Sequence, residues 1–176
     1  MTETASALTA WSSFYVMIGS AAAALTGLMF VVITLVNRVE RTQNAPDGIA
    51  TFSTPTVAHF SVALLVSAIL SAPWHAMVYP AVLLGLIGLC GVAYLLRLLP
   101  RTKRLSSYSP DVEDWIWYSI LPLIAGGAIL VGAIMLFAKP VQGLFAIAGG
   151  VVLLIFIGIR NAWDVVTYIT IGPGKP

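Results

Sequence analysis

The sequence predicts an all-α membrane protein, a single domain over residues 1–176 built as a bundle of five helices that cross a bilayer. Three observations lead there. Hydrophobic residues make up 59%, charged residues 9%, and the mean hydropathy is +0.96, against roughly 45–50% apolar and about 25% charged in a soluble domain. A chain of 176 residues has too little interior to hide that much apolar surface from water. The apolar residues fall in five runs, at about 14–36, 55–72, 81–99, 115–138 and 141–160, each near the ~20 residues that a helix needs to span hydrocarbon. Finally, the cations are lopsided. The connections after the first, third and fifth runs hold Arg38, Arg41, Arg97, Arg101, Lys103, Arg104, Arg160 and Lys175, and the opposite side holds only Lys139. By the positive-inside rule, the N-terminus is expected outside and the C-terminus in the cytoplasm.

The first 13 residues carry one charge, Glu3, and no basic segment precedes the apolar run, so no cleaved leader is expected. The first crossing, Phe14 to Val36, is 23 residues, or ~35 Å of helix. In it Gly19, Ala23 and Gly27 recur at every fourth position, a small-residue face that admits another backbone. The run ALTGLMFVV within it resembles small bacterial inner-membrane proteins, a likeness that carries no function.

A polar loop is expected from Asn37 to Ser53, turning at Pro46-Asp47-Gly48. Thr54-Pro55 then reads as a helix start, a hydroxyl cap followed by proline where no N–H is needed. This second crossing ends at Ser71 and Pro73, with Trp74 and Tyr79 as interface residues. The third, from Ala81 to Leu99, places Gly85, Gly88 and Gly91 at spacing three for close packing, and Arg97 in its last turn can reach outward to water.

A charged loop from Pro100 to Asp114 leads to Ser109-Pro110-Asp111, a second cap-and-proline start, and to an aromatic belt of Trp115, Trp117 and Tyr118. Pro122 should kink the fourth crossing by removing the bond to the Tyr118 carbonyl. Gly126, Gly127 and Gly132 soften the same helix, and Gly127 is a candidate packing position. After the Lys139-Pro140 turn, the fifth crossing ends at Arg160-Asn161-Ala162-Trp163-Asp164. The tail beyond it is too short to cross again. Crossings two–three and four–five share a Ser/Thr-Pro start, a proline turn and a closing arginine, a faint sign of two parallel hairpins.

A site has to lie in the membrane or at its cytoplasmic edge. His59 falls ~7–8 Å into its helix from Thr54, at the depth of Arg97, Arg160, Asn161 and Asp164. Together these form a candidate polar layer in which Arg160 and Asp164, at i and i+4, can pair. His59 is the member whose ordinary pKa lies near neutrality. The competing reading is interfacial anchoring plus one satisfied histidine.

Several chemistries find no support. Two histidines are too few for a di-iron centre. His59 and His75 are ~24 Å apart along one helix and cannot clamp a haem within the chain. No GxSxG, HExxH, Walker A or GxGxxG pattern occurs. Cys90, the single cysteine, sits mid-run as a small hydrophobe. The chain is therefore expected to be non-enzymatic, with no metal site, no cofactor that the sequence names and no nucleic-acid partner. Its expected role is a homo-oligomeric channel or carrier in a cell inner membrane, for a small solute or ion. The rival is an accessory or assembly subunit of a larger membrane complex, and a third reading is a redox or quinone-linked subunit using His59. The charge bias speaks against dual-topology exporters.

Overall fold

A computed structural model of the chain describes residues 3–43, 48–102 and 115–171, and among them no strand occurs. Helix α1 runs Glu3–Gln43, α2 Gly48–Ser71 and α3 Val78–Thr102. A π-helical turn, Ile116–Ile120, leads into α4, Leu121–Met135, and α5 runs Pro140–Ile171.

Four segments are long and apolar enough to cross a membrane: Ser6–Thr34, Val78–Arg97, Ile116–Met135 and Pro140–Asp164. The second expected crossing is shorter, with an apolar part Pro55–Ser71 that forms ~26 Å of helix.

Polar connections are where expectation and structure part. The loop expected from Asn37 is helical to Gln43, and α2 begins at Gly48, so Pro55 lies inside a helix. Proline inside a helix removes one backbone bond and crowds the preceding turn, yet the helix continues upstream of it. At the other end α5 continues to Ile171 through the expected tail. The Pro46-Asp47 turn and the Ser109-Pro110-Asp111 start lie outside the described residues, as does the charged loop from Lys103 onward.

At Pro122 the structure shows a π turn in place of the simple kink that was expected. The Leu121 N–H reaches back five residues to the Ile116 carbonyl, so the turn before the proline widens into a π turn.

The helices run alternately up and down. Gly19 of α1 meets Ser67 of α2, and Tyr15 donates to the Leu144 carbonyl of α5 at 3.0 Å. Gly158 of α5 meets the Phe60 ring of α2. On the other side, Gly88 of α3 meets Leu130 of α4, and Gly132 of α4 meets Gly143 and Ile147 of α5. The order across the bundle is thus α1 and α2 against α5, then α4, then α3. Helix α3 packs on α4 and touches its sequence neighbour α2 only slightly, whereas α4 and α5 pack along their length. The two hairpins are therefore not equivalent, and the repeat suggested by the sequence is not a structural one.

Both short turns lie at one end of the bundle. At Ala72–Met77 the Trp74 indole N–H closes α2 by donating to the Ile69 carbonyl at 2.6 Å, and Trp74 stacks on Tyr79 with centroids 6.2 Å apart. At Leu136–Lys139 the Lys139 N–H donates to Met135 at 2.7 Å. Trp11 meets Phe145 edge-on at 4.6 Å beside them. This aromatic collar suits a membrane interface.

Candidate functional site

The end opposite those turns carries the polar groups, and the helical step of ~100° per residue decides which face inward. On α2, Thr56, Phe60, Ala63 and Ser67 form a buried stripe. On α5 the buried stripe is Leu144, Ile147, Val151, Leu154, Ile157 and Asn161. Phe60 lies over Gly158, where an added Cβ would stand 2.8 Å from the ring Cζ. Thr56 comes four residues before Phe60, and Asn161 three after Gly158. Because the helices are antiparallel, both fall at about one depth in the bundle.

Thr56 and Asn161 are each 0% exposed. His59, one turn along α2 from Thr56, is half-buried, and its Nδ1 is fully buried. None of the described residues hydrogen-bonds Thr56 Oγ1, His59 Nδ1 or either polar atom of the Asn161 amide. A buried polar atom left unpaired costs about 1–3 kcal/mol, so concentrating four of them at one level is a marked feature. A fifth, Ser67 Oγ, lies two turns further along α2, beside Gly19.

Arg160 points away from this group. Its guanidinium pairs with Asp164 one turn on and sits 5.6 Å from the centre of the Trp117 ring, in the π turn of α4. Charge compensation and the ring face together hold it between α5 and α4. The widened turn before Pro122 is what carries Trp117 at that place.

The candidate residues thus separate. His59 and Asn161 share a level with Thr56. Arg160 and Asp164 pair on the α4 side of α5. Arg97 is exposed on α3, which has α4 between it and α5, so it does not join them. Thr56 was not among the candidates, because Thr54-Pro55 marked it as a helix end. Its signal was the stripe it forms with Phe60, Ala63 and Ser67.

The candidate packing glycines separate as well. Gly19 would place a Cβ 3.0 Å from Ser67 Cβ, and Gly88 one 2.8 Å from the Leu130 nitrogen; Gly85 is a looser 3.9 Å from Ala133. An added Cβ at Gly27, Gly91 or Gly127 would meet none of the described residues within 4 Å, so these three are not close approaches among the described helices. Gly132, Gly143, Gly150 and Gly158 are the close approaches that the sequence reading did not single out. Cys90 is exposed on the outer side of α3.

Fold and composition together define a helical membrane protein. No protein family matches the chain, and neither the curated proteins nor the solved structures contain a match.

Proposed function

We propose that the chain is a five-crossing protein of a bacterial-type inner membrane, N-terminus outside and C-terminus cytoplasmic, that assembles with copies of itself as a carrier or channel for a small solute or ion. The observation that carries this reading is the level of Thr56, His59 and Asn161. Polar side chains buried in a membrane bundle without partners are costly, and where they persist they mark pathways and binding positions. Ser67 and the Tyr15 hydroxyl are the next polar groups toward the other face, and Ala63, Val66 and Leu154 lie between. A path interrupted by fully packed apolar side chains favours a carrier over an open channel.

Two features support five crossings. Helix α2 meets α5 at Phe60 and α1 at Ser67, so it occupies the same depth as two long apolar helices. Its full 24 residues amount to ~36 Å, enough to cross. Orientation rests on the charge bias, eight of the nine Lys and Arg on one side. Self-association draws support from Gly27, Gly91 and Gly127, which leave room for another backbone.

Those same three positions favour the second reading, an accessory subunit docked in a larger complex. The mass of the native detergent-extracted assembly separates the two. The transport reading is tested by flux in proteoliposomes of the wild type, His59→Ala and Arg160→Gln. Both variants should transport more slowly, the second because Asp164 loses its cation. Equal flux in all three, or none in any, removes transport and leaves the accessory subunit.

A further inference from the structure

We infer that the lipid-facing side of α5 at Arg160 and Asp164 binds the head of one class of membrane phospholipid, the phosphoethanolamine class, which carries both a phosphate and a primary ammonium.

The first ground is place. Asp164 is the last residue of the apolar span Pro140–Asp164, so the pair stands where hydrocarbon gives way to headgroups, whichever way the bundle faces. Trp163, beside Asp164, is exposed, as suits an indole at that boundary. The second ground is access. Asp164 and the Trp117 ring, 5.6 Å away, fix where the guanidinium sits, yet 33% of the Arg160 side chain and 37% of the Asp164 side chain stay exposed. A guanidinium has five donors and a carboxylate about four lone-pair sites, more than one ion pair uses. The third ground is charge complementarity. The pair is neutral as a whole and presents a cation and an anion one helical turn apart. A phosphoethanolamine head answers both, its phosphate accepting from the guanidinium and its ammonium donating to the carboxylate. A phosphoglycerol head offers the carboxylate no cation, and a choline head offers it a cation without an N–H. The fourth ground is the acyl chain. Phe156, one turn before Arg160, is exposed, and so is Phe145 further along α5. Between those two rings Gly149 is exposed, and an added Cβ there would meet none of the described residues within 4 Å. This recess along α5 suits a lipid tail, which a soluble phosphate ester lacks.

Thermal melting of the full chain in detergent micelles tests the inference, with dioleoyl phosphatidylethanolamine, phosphatidylcholine or phosphatidylglycerol added at equal mole fraction. Phosphatidylethanolamine should raise the melting temperature saturably, as a ligand of the folded state does, and more than either of the others. Asp164→Asn should erase its advantage over phosphatidylcholine, and Asp164→Glu, which keeps the carboxylate, should retain it. Arg160→Gln should lose the rise with all three lipids. An ion pair that only braces α5 would lower melting equally in every lipid and leave the differences between lipids unchanged. A rise equal in all three lipids, a larger one with phosphatidylglycerol, or an undiminished advantage in Asp164→Asn overturns the inference. An equal rise with soluble phosphoethanolamine overturns the lipid as its source. Should the neutral variants fail to fold, the wild type alone decides. Extracted from vesicles of the three lipids in equal parts, it should carry an excess of phosphatidylethanolamine by mass spectrometry, and bound lipid in the vesicle proportions refutes the site.

Discussion

Gly88 and Gly91 lie one turn apart on α3, and alanine at the two should have opposite consequences. A Cβ at Gly88 would stand 2.8 Å from the backbone nitrogen of Leu130 and 2.9 Å from its Cα and Cβ, where carbon atoms pack at about 3.5–4.0 Å. The obstruction is mostly backbone, which no rotamer change relieves, so α3 and α4 would have to part by roughly 0.6–1.1 Å. That separation loosens Gly126 against Val92 and Gly85 against Ala133, where an added Cβ would stand at 3.5 and 3.9 Å. A Cβ at Gly91 meets nothing within 4 Å among the described residues. Both substitutions gain the same helix preference of alanine over glycine, about 1 kcal/mol in water, so this cancels in their difference. What remains is overpacking, about 1–3 kcal/mol, by which Gly88→Ala should be the less stable. Reversible unfolding in mixed micelles measures the difference, and the mass of the assembly in each variant shows whether Gly91 serves a contact between copies. A gap below about 0.5 kcal/mol, the range of an ordinary surface substitution, would refute close backbone approach as the role of Gly88.

A reporter active only in the cytoplasm should work when fused after Lys175 and be silent when fused at Ala76. The reverse pattern would invert the bundle and move the level of Thr56, His59 and Asn161 to the outer face. Tyr15→Phe keeps the ring that contacts Trp11 and Phe14 and removes only the buried bond to the Leu144 carbonyl. Its expected cost in unfolding free energy is ~0.6 kcal/mol, the mean for an interhelical hydrogen bond in a membrane protein, and a loss above ~3 kcal/mol would mean that the hydroxyl holds more than one carbonyl.

The two short turns were legible because proline and interface aromatics stand where helices must stop at the membrane edge, at Ser71–Pro80 and Lys139-Pro140. The opposite helix ends were not. Polar residues mark where the bilayer ends, while a helix ends only where its backbone bonds find better partners. So α1 passes the expected limit of Val36 to reach Gln43, and α5 passes Arg160 to reach Ile171. The polar cluster was legible in composition and hidden in direction. Arg160 and Asn161 are adjacent, and one helical step sends the amide into the bundle and the guanidinium toward Trp117. Thr56 was obscured by the reading of Pro55 as a helix start, which α2 contradicts.

Helix α5 ties the packing of the bundle to its buried polar groups. It carries Gly143, Gly150 and Gly158, about two turns apart, and each is pressed against a neighbour. The first two admit α4, through the Gly132 and Ala125 carbonyls that an added Cβ would approach to 2.7 and 2.8 Å; the third admits the Phe60 ring of α2. In lipid no hydrophobic force draws helices together, so association relies on close van der Waals approach, and small residues along one helix let it serve several neighbours. The arrangement then sets the site's position. With Gly158 drawn onto Phe60, Asn161 one turn later is fully buried, at about the depth of Thr56 on α2. An alanine at Gly158 would lift that turn off α2 and open the level of Thr56, His59 and Asn161. The contact that tightens the bundle is thus also the one that keeps its unpaired polar atoms enclosed.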